Sequence, residues 1–215
     1  MNGLIQFQAL GRLDAFLALP GGAQRRVFLI GPSGAGKSAI RAALARRAGI
    51  DWAFPPRFVS RALRADDDPA ENVFLPEDRF QAELGKGALG FFWTKPIAPG
   101  QLQLYGFPPT SAAFTLYGCN NEFIANAASL RTGDGALLQG LRVYVHCSDE
   151  ERRRRLGQRH HANPVGEAER LYRIAAASTD VAGQCDLLLL NESGSPEHAA
   201  GQLLAVLSGH MERAR

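Results

Sequence analysis

Gly31-Pro32-Ser33-Gly34-Ala35-Gly36-Lys37-Ser38 is the stretch on which the reading of this chain turns. It satisfies G-x-x-x-x-G-K-[ST], a pattern whose glycines let successive backbone N–H groups turn inward around an anion. Its flanks agree with it. Val27-Phe28-Leu29-Ile30 precede it, a short apolar run of the kind a parallel strand buried on both faces requires. Ile40, Ala43, Leu44 and Ala48 follow at i, i+3, i+4 and i+8, with Arg41, Arg46 and Arg47 off that stripe. That spacing predicts an amphipathic helix ending at Gly49. Strand, glycine loop and helix together read as a phosphate-binding P-loop in which residues Gly31 to Ser38 surround the phosphates. Lys37 is expected to reach the β- and γ-phosphates of ATP, and the Ser38 hydroxyl to take Mg²⁺.

A length of 215 residues suits one large domain, here 26–215, after an extension of residues 1–25. The 46% hydrophobic content is enough for a sizeable core, and the net charge of +3 fits a binder of phosphorylated small molecules. That excess is too small to argue for nucleic acid. Cys119, Cys147 and Cys185 are far apart and form no CxxC pair, so neither a zinc site nor a redox couple is indicated. No apolar run is long enough to span a membrane, and the N-terminal residues lack the pattern of a secretion signal, so the cytoplasm is the expected compartment.

Along the chain, Leu10, Leu13, Phe16 and Leu17 make a weak helical stripe. A second core strand is predicted at 57–60, just after Pro55-Pro56. Residues 60–110 then read as an acceptor-binding insert of short strands (88–94 and 101–105) and one helix (75–85, Pro76 at N1). Further core strands are predicted at 113–117, 141–146 and 185–190, with a helix at 121–130. Ser148 and Glu151 form a capping box that opens an arginine-rich helix. Its Arg152–Arg155 run reads mainly as a solvated face, with Arg155 best able to reach inward. A lid over 156–166, a helix from Asn163-Pro164 and a final helix capped by Ser195 complete the order. Strands alternating with helices predict an α/β core, a five-stranded parallel sheet flanked by helices.

The pattern resembles the nucleoside monophosphate kinase architecture of P-loop core, substrate-binding insert and arginine-bearing lid. Within it the chain most resembles the ribose 1,5-bisphosphate phosphokinases of bacterial phosphonate catabolism, relatives of guanylate kinase. The points of likeness are G-P-S-G-A-G-K-S at 31–38, F-V-S-R at 58–61, Glu71-Asn72, L-P-E-D-R-F at 75–80, Leu104-Tyr105-Gly106 and L-L-N-E-S-G-S at 189–195. The resemblance implies transfer of the ATP γ-phosphoryl group to ribose 1,5-bisphosphate, giving 5-phosphoribosyl 1-diphosphate, with ATP and Mg²⁺ bound at the P-loop. The acceptor being itself a phosphate, no general base is required.

On this reading Arg61 and Arg64 clamp acceptor phosphates, the alternative being a solvated basic edge. Tyr105 hydrogen-bonds the acceptor or is structural. Glu71 accepts from sugar hydroxyls or a base edge, or is a plain loop carboxylate. In the lid, Arg159 meets the γ-phosphate, with Arg170 and Arg173 in support. His160 and His161 stand where a second arginine is usual, as exposed residues rather than metal ligands. Two further departures are a proline-bearing loop at 107–111 in place of a helix, and a third core strand that ends in Tyr117-Gly118-Cys119-Asn120-Asn121 with no Asp. The alternatives are a guanylate-type nucleotide kinase, although the insert lacks that family's Thr-Thr-Arg and Gly-Glu pattern, and a degenerate nucleotide-binding regulatory module. A homodimer is left open.

Overall fold

The computed structural model describes residues 5–7, 9–20, 23–63, 67–98, 100–162, 181–192 and 195–209. In chain order the elements are β1 (Ile5–Phe7), α1 (Leu10–Leu17), β2 (Arg25–Ile30), α2 (Lys37–Arg47), β3 (Trp52–Ala53), β4 (Arg57–Val59), β5 (Asn72–Phe74) and α3 (Glu77–Gly85). They continue as β6 (Phe91–Ala98), β7 (Gln101–Phe107), β8 (Phe114–Gly118), α4 (Glu122–Asn126), β9 (Leu141–His146), α5 (Asp149–Ala162), β10 (Leu187–Leu190) and α6 (Pro196–Leu207).

Two sheets organise the fold. The larger has the order β1-β10-β9-β2-β8-β3. Its five strands from β10 to β3 are parallel, and β1 adds an antiparallel edge through Ile5↔Leu189 and Phe7↔Leu187. The smaller has the order β5-β4-β7-β6 and spans Arg57 to Phe107.

Alternation along β2 explains how the two sheets share a core. Val27 and Leu29 pack on one face with Val143, Val145, Leu187 and Leu189, beneath Leu13 of α1, Ile40 and Leu44 of α2 and Leu203 of α6. Phe28 and Ile30 point to the other face, where they meet Phe123 of α4 and Phe91, Trp93 and Phe107 of the smaller sheet. Each such side chain, fully buried, contributes roughly 1.5–3 kcal/mol. The smaller sheet is therefore held onto the core by an aromatic layer, with Phe28–Phe123 centroids 4.7 Å apart and Phe107–Tyr117 4.9 Å.

The strand predicted at 57–60 does not belong to the parallel core. As β4 it pairs with β5 (Phe58↔Val73) and β7 (Phe58↔Gly106) in the smaller sheet. The core strand in that region is instead β3, whose Trp52 stacks on Phe114 at 4.9 Å. Pro55-Pro56 intervene, and with no N–H to donate they carry the chain out of one sheet before it enters the next. The helix predicted at 121–130 is the shorter α4. Pro76 precedes the first turn of α3 as its N-cap rather than occupying N1. Gly49 shows no left-handed φ, since α2 ends on Ala48 in extended conformation. Ser195 caps α6 as expected, accepting from the Glu197 N–H at 3.1 Å. The helix predicted from Asn163 lies outside the described residues. No helix among the described residues is long and apolar enough to cross a membrane.

Candidate active site at the P-loop

The ends of β2, β9 and β10 converge on the loop, as the carboxyl ends of parallel strands do at ligand sites. Gly31 to Gly36 leave β2 and turn into α2, whose first two residues are Lys37 and Ser38. Gly34 and Gly36 sit at φ +86° and +96°, the region where a Cβ is costly. The Lys37 ammonium donates to the carbonyls of Gly31 (2.6 Å) and Pro32 (2.9 Å), which draws it back over the mouth of its own loop.

The loop is braced from behind. Asn191, buried just beyond β10, donates through Nδ2 to the Ala35 carbonyl at 2.7 Å. Arg155 of α5 donates to the same carbonyl at 3.2 Å, to the Asn191 carbonyl at 2.9 Å and to the Glu192 carbonyl. Glu151 orients Arg155 through its Nε at 2.7 Å. Arg152 is buried, with its stem against Gly34. The solvated-face reading of 152–155 thus holds for Arg153 and Arg154 and fails for Arg152, while Arg155 does reach inward. The capping box is half made. The Ser148 hydroxyl accepts from the Glu151 N–H, but the Ser148 N–H donates to Glu192 because arginines engage the Glu151 carboxylate.

That engagement carries a pH dependence. Hydrogen bonds from Arg154 first, then Arg155, hold the Glu151 carboxyl down to about 2 from an ordinary 4.5. A folded-state value below the unfolded one stabilises above the unfolded value and is lost as pH falls toward the folded one. The Glu151 contribution is therefore complete above about 4.5 and gone near 2. Glu151→Gln is expected to flatten this part of the acid limb, narrowing the difference in denaturation midpoint between about pH 5 and about pH 3.

On the acceptor side the structure separates residues that the sequence groups together. The Arg61 guanidinium is engaged by Asp67, with Nη2 to Oδ1 at 2.7 Å, and lies 4.8 Å from the centroid of the Phe74 ring. Tyr105 is buried on Trp93 and donates its hydroxyl to Gln103 at 2.6 Å. Burial raises its pKa, against the opposing influence of Arg57, Lys95 and Arg61. Glu71 faces the P-loop, where it accepts from the Ser38 hydroxyl at 2.7 Å and pairs with Arg41 at 3.8 Å. Arg64 and Arg170 lie outside the described residues, as does Arg173. Arg159 falls within α5, and its side chain and those of the adjoining histidines lie outside what is described.

Arg57 escaped the sequence reading. It donates twice to Asn72 Oδ1 (2.8 and 3.1 Å) and once to the Gly118 carbonyl (3.4 Å), and sits 5.3 Å from the Tyr105 ring centroid. It ties the smaller sheet to the end of β8. An arginine placed directly before the apolar pair Phe58-Val59 was the available signal. Among the described residues no group of three or more His, Cys, Asp or Glu side chains could hold a metal ion, and all three cysteines are free and buried.

No protein-family model matches this chain, and no curated protein does. Among solved structures it is similar to the guanylate kinase from Anaplasma phagocytophilum over 90% of each chain, at 14% sequence identity and a TM-score of 0.48. At that distance no activity transfers, and function has to be argued from the residues.

Proposed function

We infer that this chain is an ATP- and Mg²⁺-dependent phosphotransferase whose acceptor is a small phosphorylated molecule, ribose 1,5-bisphosphate being the acceptor that the motifs favour. The observation that carries this reading is the P-loop itself, braced by Asn191 and Arg155 with Lys37 at its mouth and Ser38 opening α2. Phosphoryl transfer asks the protein mainly for position and positive charge. The loop amides and the start of α2 would hold the β-phosphate. Lys37 would exchange two carbonyls for phosphate oxygens. Mg²⁺, when bound, supplies charge neutralisation on the transferred group, and hard oxygen donors such as the Ser38 hydroxyl and the nearby Glu71 carboxylate suit it. Arg159 and Arg170 of the lid would meet the charge that develops on the moving phosphoryl. Arg61, with Arg64, would take an acceptor phosphate once Asp67 gives up its fork, which a dianion can displace.

The saturation of Arg61 by Asp67 and of Tyr105 by Gln103 favours a second reading, a nucleotide-binding module without turnover. ATP and Mg²⁺ incubated with ribose 1,5-bisphosphate, GMP, AMP or CMP and followed by ³¹P NMR separates them. The expected result is a new diphosphate resonance with the highest kcat/KM for the bisphosphate. Faster turnover of GMP would move the chain to the guanylate-type activity. Binding of ATP with no product from any acceptor would favour the module.

A further inference from the structure

The strand that leads out of the core beside the P-loop, β8, ends at Gly118 and runs on into Cys119-Asn120, with no carboxylate to serve the Ser38 hydroxyl. The hydroxyl nevertheless meets one. Its Oγ donates to Glu71 Oε2 at 2.7 Å, and Glu71 comes from the turn that enters β5 of the smaller sheet, thirty-three residues along the chain. The turn that presents it is closely tied. The Glu71 N–H donates to the Asp68 carbonyl at 3.1 Å, and the Glu71 carbonyl accepts from the Arg57 N–H at 2.8 Å. Asn72 Nδ2 holds the Asp68 carbonyl at 3.2 Å. Arg57 then joins Asn72 to the Gly118 carbonyl, at the very end of β8 where the carboxylate is lacking.

We propose that Glu71 is the metal-side carboxylate of this site, acting on a divalent cation bound between Ser38 and the nucleotide phosphates. This rests on the phosphotransferase reading and gives Glu71 a role other than contact with a sugar or base. The donor set fits the cation. A hydroxyl and one carboxylate, completed by phosphates and water, is the kind of oxygen environment in which Mg²⁺ is held. Lys37 and Arg41 flank the pair, and Arg41 keeps Glu71 from being an isolated negative charge. Burial pulls the Arg41 pKa below the usual arginine value, with Glu71 and then Asp68 pulling the other way. Because Glu71 lies in the turn that enters β5 and Arg61 just follows the neighbouring β4, cation binding and the position of the acceptor side become one event. A core-strand aspartate would leave them separate.

The test compares wild type, Glu71→Gln and Ser38→Ala for ATP affinity by calorimetry in EDTA and again with Mn²⁺, and for the electron paramagnetic resonance of bound Mn²⁺. Wild type is expected to gain affinity from Mn²⁺ and to broaden the Mn²⁺ signal. Glu71→Gln, which keeps the size and the hydrogen bond to Ser38, is expected to lose roughly 10- to 100-fold of the Mn²⁺-dependent gain. Its affinity for ATP in EDTA should stay the same or tighten, which also shows that the variant is folded. Ser38→Ala should lose a similar gain, and the double variant little more than either. A Glu71→Gln chain that keeps the full Mn²⁺ gain would overturn the assignment alone, leaving Glu71 as the partner of Arg41. Failure of the wild-type chain to bind ATP in either condition would overturn the phosphotransferase reading and the Glu71 assignment together.

Discussion

Lys37→Ala leaves the chain folded and removes ATP turnover. The ammonium makes hydrogen bonds to two loop carbonyls and is half-buried, so its loss costs the fold about 1–2 kcal/mol. A domain of this size has roughly 5–15 kcal/mol to draw on. On the proposed reading the effect on transfer is larger, because the Lys37 charge would be worth most when the transferred group spreads its own. Deleting one preorganised donor of this kind costs on the order of 10²- to 10³-fold in rate. Single-turnover transfer from ATP labelled at the γ-phosphate, alongside a thermal melt, checks both halves. Wild-type affinity and rate in the variant would refute the phosphate cradle.

Gly36→Ala is expected to destabilise the fold strongly. Gly36 sits at φ +96°, and an added Cβ would lie 2.2 Å from Asn191 Nδ2. An L-residue in left-handed conformation costs about 1–2 kcal/mol. Asn191 would also have to leave the Ala35 carbonyl, which Arg155 still serves, and a buried Asn191 amide left without its acceptor costs about 1–3 kcal/mol. The sum is roughly 2–5 kcal/mol, visible as a lowered urea midpoint at unchanged slope. Trimming the clash with Asn191→Ala in the same chain is expected to recover the steric part and not the backbone part. Gly34→Ala should be milder, since its Cβ would come no nearer than 3.0 Å to the Arg152 and Leu156 side chains and 3.2 Å to the Arg152 carbonyl.

The bracing that makes Gly36 so sensitive lay beyond sequence reasoning for a clear reason. Asn191 and Ala35 are 156 residues apart, and Arg155 and Ala35 are 120 apart. No periodicity joins such positions. An Asn placed directly after a leucine-rich strand was still a usable hint, because the ends of parallel strands point at the ligand. The loop and its flanking strand and helix were legible, since apolar run, glycines, Lys-Ser and amphipathic stripe all indicate the same element. The second sheet was legible as short strands, but not the membership of β4. Two apolar residues, Phe58 and Val59, soon after two prolines suit either sheet, and the aromatic layer chooses between them. β3 has two residues and carries no pattern at all. The partners of Glu71 and Arg61 could not be read, because both depend on how the turn after β4 folds back.

Beyond β9 the larger sheet presents Leu187-Leu188-Leu189-Leu190, four leucines in a row. Left as the outermost strand, this run would offer unpaired backbone groups beside an apolar surface, a template for strands of other copies. β1 takes that position by pairing antiparallel with three of the four residues. The new outer strand is only three residues long, too short to recruit a neighbour easily. β1 is thus expected to protect this edge of the sheet from other copies of the chain. Trimming it should show first as aggregation at high protein concentration, with the chemistry at the P-loop still intact in whatever remains dispersed.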